Sequence, residues 1–309
     1  MAESRSSARD RSSGPVGATL DGVAAVVVNH DAGHTLLECV ASLRAEGVSD
    51  IVVVDNASSD DSADVLVGDD PNVRLVRTGE NRGYGAGANS GVALTEHPYV
   101  LVMNPDVVVH GGALNYLIAA LDADQALAFA GPRVLETDGS RYPSARRFPT
   151  LAEALGHALL VGVAPHNRFT RRYRMSDLPC EGVTEVDWVS GACFLARRRA
   201  LQELGGFDEA YFMYAEDTDL CWRARLAGWG VAYAPDAVVT HRHGVSTARH
   251  PYRMLVAHHR SVYRFAAKTS RGWRRALLPT VAVLLALRLA TACVRRALSG
   301  RSGGARRAE

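Results

Sequence analysis

Tyr99-Val100-Leu101-Val102-Met103-Asn104-Pro105-Asp106 is the stretch whose reading decides the fold. Its five apolar residues are too few for a helix, are rich in strand formers, and stop at a proline that cannot donate to a ladder. They read as a short buried strand that places Asp106 at its carboxyl end. In open α/β sheets ligands bind at that end, and a carboxylate there can hold a hard divalent cation against a phosphate. Asn, Pro and Asp are also ordinary turn formers, so the neighbouring sequence has to decide between site and turn.

Toward the N-terminus, strands and helices alternate. Val23 to Val28 is a buried strand, and a helix follows with Thr35 and Glu38 at capping-box spacing, an apolar stripe of Leu36, Leu37, Val40 and Leu43, and Gly47 as a stop. Ile51 to Val54 is the second strand and ends in Asp55-Asn56; Ser58 to Ser62 caps a short helix through Leu66. Val73 to Val76 is the third strand and Ala86 to Thr95 the third helix. The alternation means α/β with a mainly parallel sheet. Asp55 can accept from a base or ribose, or can cap the helix after it.

Between the third strand and third helix runs Thr78-Gly79-Glu80-Asn81-Arg82-Gly83-Tyr84-Gly85-Ala86-Gly87-Ala88-Asn89. Its alternate glycines allow close approach of a ligand, and the helix offers N–H groups to anions. It lacks the third glycine of a dinucleotide fingerprint and follows the third strand instead of the first, which disfavours a redox enzyme.

Beyond Asp106, the region from Gly131 to about Thr184 is basic and broken by prolines, as suits a substrate lid, an acceptor wall or a solvated loop. Val186 to Leu195 then reads as strand, small-residue turn and strand, followed by a helix around Arg198 to Leu204. Glu216, Asp217 and Asp219 crowd the start of the next helix. Capping and the helix dipole account for one acid, and one of the three can act as a general base toward a hydroxyl. His241, after the last strand, is a candidate metal ligand beside Asp106.

The 309 residues, 47% apolar and 22% charged, suit one large domain with additions or two small ones. Five scattered cysteines without a Cys-x-x-Cys pair point to reduced cytosolic thiols. Residues 1–21 read as a disordered tail and not as a secretory signal. From Pro251 onward thirteen Arg or Lys face the single acid Glu309, a net +12 that leaves the remainder at −10. The same tail holds the most apolar stretch, Ala276 to Val294, containing Pro279 and Arg288. Such a run can just span a bilayer; with Arg271, Arg274, Arg275, Arg295 and Arg296 around it, a helix lying in the interface of an anionic membrane is the preferred reading over a core helix with a solvated face. No nucleic-acid-binding module accompanies these arginines.

The ordered set Asp55-Asn56-Ala57-Ser58, Asn81-Arg82-Gly83 with Asn89, Asn104-Pro105-Asp106, Ser190-Gly191-Ala192, Gly205-Gly206-Phe207-Asp208, Glu216-Asp217-x-Asp219-x-x-x-Arg223 and His241-x-x-Gly244-x-Ser246 resembles the inverting family 2 glycosyltransferases of GT-A fold. Within them it is most similar to bacterial rhamnosyltransferases acting on polyprenyl-diphosphate-linked GlcNAc. The resemblance covers roughly Val23 to Lys268, which suggests a glycosyltransferase domain over 22–250; the charge and apolar run read the remainder, 251–309, as a membrane-associating tail. It implies that Asp55, Asn81, Arg82, Gly83, Asn89 and Asn104 line the nucleotide-sugar, and that Asp106 and His241, with His243 as fallback, hold Mg²⁺ or Mn²⁺. Asp217 would be the base, supported by Glu216 and Asp219. Asn104 stands where many relatives carry the first acid of Asp-x-Asp, leaving the anionic ligation to Asp106. No Gln-x-x-Arg-Trp motif occurs, which speaks against a processive synthase. The implied donor is dTDP-rhamnose, with a UDP-hexose or furanose donor as the alternative and a non-catalytic nucleotide-sugar-binding relative as a further one. The implied acceptor is a lipid-linked glycan at the cytoplasmic face of the plasma membrane.

Overall fold

The computed structural model describes residues 20–148, 153, 164, 167–175, 178–242 and 251–305, with side chains to residue 298 at the C-terminal end. Nearly all of the expected N-terminal tail, much of the basic middle region, and His243 with Gly244 and Ser246 lie outside the described residues.

The first half is built as the alternation demands. Strands β1 (Val23–Asn29), β2 (Asp50–Asp55), β3 (Arg74–Arg77) and β4 (Tyr99–Met103) interleave with helices α1 (Thr35–Ala45), α2 (Ser62–Asp69) and α3 (Tyr84–Val92). Every residue of β1 is buried, which is why it reads as an unbroken apolar run: helices cover both faces of the sheet. β1 pairs in parallel with β2 on one side and β4 on the other, Val27 standing opposite Val53 and Met103. Because successive strands are laid down to opposite sides of β1, a crevice opens at the carboxyl ends of β1 and β4.

The second half adds β5 (Val107–Val109), α4 (Ala113–Ala123), β6 (Leu127–Leu135), the short β7 (Arg141–Tyr142) and β8 (Ala145–Arg146), and α5 (Arg168–Tyr173). It continues with β9 (Thr184–Val186), β10 (Trp188–Val189), β11 (Cys193–Arg197), α6 (Arg198–Leu204), α7 (Glu216–Leu226) and β12 (Gly230–His241). The sheet order is β3-β2-β1-β4-β11-β6-β12-β5. It is parallel from β3 to β4 and again between β6 and β12, while β11 runs antiparallel to both of its neighbours. The antiparallel β11 brings the Ser190-Gly191-Ala192 turn to the same end of the sheet as Asp106, and Asn104 N–H donates to Ala192 O at 2.9 Å.

Two local expectations come out differently. Thr35 and Glu38 form no capping box: the cap residue is His34, the Thr35 hydroxyl turns back to Ala32 O at 2.7 Å, and Glu38 pairs with Arg242 at 2.6 Å. The glycines of the 83–91 stretch serve packing. A Cβ on Gly91 would stand 2.4 Å from Val26 Cγ1 and one on Gly87 2.8 Å from Val28 Cγ1, so α3 lies on β1 at a distance only glycine permits.

The cysteines are unbridged, and Cys39, Cys193 and Cys221 are buried as small apolar groups. C-terminal to the sheet, α8 (Pro251–Thr269) packs onto the domain. Phe265 stacks on Phe148 and meets Trp222 edge-on, Ser261 Oγ donates to Met213 O at 2.9 Å, and Lys268 pairs with Asp208 and Asp219. A 3₁₀ turn (Gly272–Leu277) leads into α9 (Leu278–Ala305). Within residues 272–298 an 18-residue window has a mean hydropathy of 2.1 and none of it is buried, so this helix is long and apolar enough to cross a membrane.

Candidate active site

A cleft of about 570 Å³ opens at the carboxyl ends of β1 and β4, bounded by the Asn104 to Asp106 turn, the Ser190 to Ala192 turn, the start of α7, and α8. On the β1–β2 side, Asn29 Nδ2 donates to Asp55 Oδ1 at 3.1 Å and to Ser62 Oγ at 3.0 Å, fixing the buried Asp55 carboxylate. Asn56 Nδ2 donates to Asn81 Oδ1 at 3.2 Å and to Gly83 O at 3.0 Å, so the second strand holds the Asn81 to Gly83 loop in place. Asn56 and Asn81 line the cleft, whereas Gly83 turns its α-carbon to protein: at φ +100° a Cβ there would stand 2.2 Å from Phe212 O.

Arg82 and Asn89 lie outside the cleft wall. Arg82 pairs with Glu209 at 2.5 Å on the surface and borders a smaller hollow of about 190 Å³ with Asn56 and Thr78. Asn89 clamps a turn: its Oδ1 accepts from Phe207 N–H at 2.8 Å and its Nδ2 donates to Phe207 O at 3.0 Å.

At the cleft floor, the turn after β4 meets the end of β12. Asp106 Oδ1 lies 3.0 Å from His241 Nε2, and Asn104 Nδ2 lies 3.4 Å from the same nitrogen. Asp106 and His241 are 8% and 6% exposed. Among the described residues no group of three or more His, Cys, Asp or Glu is gathered for a metal. Two donors in contact at the base of an open cleft fit a cation that arrives with phosphate oxygens, the usual way Mg²⁺ is held.

The acidic trio separates by environment. Asp217 faces the cleft, its Oδ2 accepting from Gly191 N–H at 2.8 Å and its Oδ1 from Thr218 N–H at 2.6 Å. Glu216 also lines the cleft and is almost fully buried, with no hydrogen-bond partner on Oε2. Burial, then the adjacent Asp217, pushes its carboxyl up to about 8, so it stands protonated at neutral pH. Asp219 points the other way. It is fully buried, 2.8 Å from Arg223 Nε and 2.7 Å from Lys268 Nζ, and ties α7 to α8. The helix carrying these acids is entered through two non-glycine residues in the left-handed region, Tyr214 at φ +68° and Ala215 at φ +62°. Such backbone costs of order 1–3 kcal/mol per residue and is kept where it aims a side chain.

Several cleft residues were not singled out from the sequence as site residues. Tyr84 OH donates to Gly191 O at 2.6 Å, bracing the turn that holds Asp217. Arg146 enters the cleft with its guanidinium 5.0 Å from the Trp188 ring centre and 5.5 Å from that of Tyr173. His258 and Val262, on α8, complete the far wall. Tyr84 lay inside the glycine-rich stretch of the sequence, and Arg146 was one of many arginines in a basic region.

A model described as glycosyltransferase-like family 2 matches residues 21–276. The chain belongs to that family. As a family 2 glycosyltransferase it has well-covered relatives. It is 40% identical over 267 residues to the N-acetylglucosaminyl-diphospho-decaprenol L-rhamnosyltransferase of Mycobacterium tuberculosis, covering 82% of this chain and 86% of that protein. It is 28% identical over 203 residues to the rhamnosyltransferase WbbL of Escherichia coli, covering 60% of this chain and 71% of that one. Among solved structures, a mannosyltransferase from Pyrobaculum calidifontis in complex with GDP-Man and Mn²⁺ superposes with a TM-score of 0.56 at 17% identity, over 92% of this chain and 79% of that one. The fold is therefore the GT-A type that the sequence motifs imply, here with an apolar helix appended.

Proposed function

We propose that this family 2 glycosyltransferase moves L-rhamnose from dTDP-L-rhamnose onto a GlcNAc carried by a polyprenyl diphosphate, in cell-wall polysaccharide assembly at the cytoplasmic face of the plasma membrane. The reading rests on one geometric observation read beside the mycobacterial relative: a carboxylate, Asp217, is held by two backbone N–H groups facing a cleft whose floor carries the Asp106–His241 pair.

The roles follow from the environments. Asn29 holds Asp55 as an acceptor for the donor's base, with Asn56 and Asn81 along the nucleotide path. Asp106 and His241, with Asn104 beside them, would hold a divalent cation, which would offset the charge developing on the leaving nucleoside diphosphate. Asp217 takes the proton of the acceptor hydroxyl as that oxygen forms a bond to the anomeric carbon and the bond to the diphosphate breaks on the opposite face. The result is inversion without a sugar bound to the protein. A positioned base contributes about 10²–10⁴ in rate. Glu216, neutral beside it, adds no second negative charge at that point.

The test is transfer from a panel of dTDP- and UDP-sugars to a short-chain polyprenyl-diphosphate GlcNAc, with Mg²⁺ or EDTA, by wild type and Asp217→Asn. Transfer from dTDP-rhamnose alone, abolished by EDTA and lowered at least about 100-fold by the substitution, is the expected result. Transfer from another donor overturns the rhamnosyl assignment. Nucleotide binding without transfer or donor hydrolysis overturns the catalytic one.

A further inference from the structure

The donor's path accounts for the β1–β2 side and floor of the cleft but leaves its other wall unused. That wall is cationic and aromatic. Arg146 projects there from β8, and its hydrogen bonds go to neutral oxygens: Pro143 O at 2.9 Å, Tyr142 OH at 3.1 Å and Tyr173 OH at 3.3 Å. No carboxylate among the described residues lies within ion-pair distance of it. A guanidinium caged by aromatic faces is rigid and weakly hydrated, which suits it to phosphate oxygens.

Next to it stands His258 of α8, packed edge-on against Tyr214 and His259. Burial holds its pKa down to about 4, and the nearby His259, Arg288 and Arg146 add to that in the same direction. Arg288 is the only charged residue in the apolar run 276–294, and its helix α9 packs back on α8. Arg288 is exposed, and its charge acts on His258, so it lies on the part of α9 near the α8 wall of the cleft.

We propose that Arg146, His258 and Arg288 form the seat for the diphosphate of the lipid-linked acceptor, at the seam between the cleft and the apolar helix. This rests on the acceptor reading above. The polyprenyl tail would leave this seat along the exposed apolar surface of α9, and the sugar would reach from it toward Asp217, whose charge also acts on Arg146. The donor's diphosphate is drawn instead to the Asp106–His241 floor.

The test uses the full chain and two readouts. In transfer assays, Arg288→Gln and Arg146→Lys should raise the acceptor KM at least about tenfold while the donor KM holds. A parallel rise in donor KM would assign the cations to the donor and overturn the proposal, as would an unchanged acceptor KM. Independently of transfer, wild type should bind vesicles containing polyprenyl diphosphate more tightly than phosphatidylglycerol vesicles of equal charge, a preference that Arg288→Gln abolishes. Arg295→Gln, on the same helix beyond the apolar run, should lower binding to both vesicles alike. Equal binding of wild type to the two vesicles would reduce the site to general attraction for anionic lipid and overturn the proposal. If wild type shows the vesicle preference but transfers no sugar, the seat stands and the rhamnosyl assignment fails.

Discussion

Gly191 N–H donates to Asp217 Oδ2 at 2.8 Å, and a Cβ built on Gly191 would stand 3.2 Å from Asp217 Cβ. The turn before β11 therefore both orients the base and leaves no room beside it. Gly191→Ala must push Asp217 aside by a few tenths of an ångström or more, and small misplacements of a reacting group cost rate steeply. The expected outcome is a kcat lowered about 10- to 100-fold with donor KM unchanged, read by steady-state kinetics. A variant with wild-type kcat would show that this contact does not set the base.

Glu216 makes a stability prediction whose sign is opposite to that of most acids. Burial, then Asp217, raises its carboxyl from the ordinary 4.5 to about 8. Below about pH 4.5 both the folded and unfolded chains hold the proton, and the neutral acid costs nothing extra. Between about 4.5 and 8 the unfolded chain releases it while the folded chain keeps it, so stability falls as pH rises, by at most about 1.4 kcal/mol per pH unit. Above about 8 the loss levels off. Glu216→Gln removes this slope because the amide stays neutral. Urea midpoints of the two proteins should lie close at pH 5 and separate in favour of the glutamine variant by pH 8; a gap independent of pH would refute the assignment.

Asp219 should declare itself in stability. Fully buried between Arg223 and Lys268, it also lies 3.4 Å from Tyr211 OH. Arg223 in turn donates to Leu204 O and Gly206 O at 2.7 Å each. Removing the charge leaves partly buried cations facing each other, which costs about 3 kcal/mol or more. Asp219→Asn is expected to lower the urea midpoint well beyond the change caused by Asp217→Asn. Equal midpoints would mean that the α7–α8 tie is energetically idle.

The Asp106–His241 pair predicts metal binding that depends on the nucleotide. With two protein donors, Mn²⁺ affinity should rise when dTDP is added, because the phosphates complete the coordination. Electron paramagnetic resonance of free Mn²⁺ should show that gain for wild type and its loss in Asp106→Asn and in His241→Ala. A gain retained in both variants would move the cation elsewhere.

The alternating strands, and the placing of Asp106 and Asp217 at one cleft, were legible because strand ends and turn residues leave local marks, and α/β topology fixes where those ends go. The direction of β11 was not, since an antiparallel strand between parallel neighbours leaves no periodic trace. The packing of α3 was not legible, because small and amide side chains look the same in sequence whether they approach a ligand or another strand; the contacts of Gly91 with Val26, Gly87 with Val28 and Asn89 with Phe207 appear only in the fold. Arg146 was hidden among many loop arginines, for its aromatic cage is drawn from residues 142, 173 and 188, too far apart in sequence to form a motif.

The apolar helix can be assigned to the membrane surface or to its interior by one comparison. Its length would allow a span, since about 20 apolar residues suffice. Arg288 opposes one: an arginine at the middle of a spanning helix costs roughly 2.5–3.5 kcal/mol on insertion scales. Cations also flank both ends, Arg271, Arg274 and Arg275 before it and Arg295 and Arg296 after it, so no orientation is favoured by charge. A helix in the interface satisfies all of them at once, with the apolar side in the acyl boundary and the arginines at the headgroups. The full chain should therefore sediment with anionic vesicles and be released by alkaline carbonate, while a chain ending at Ser270, which keeps Lys268 and the α8 wall, should stay in the supernatant. Resistance to carbonate would mean that α9 spans, and undiminished sedimentation of the shortened chain would move membrane contact onto the catalytic domain itself.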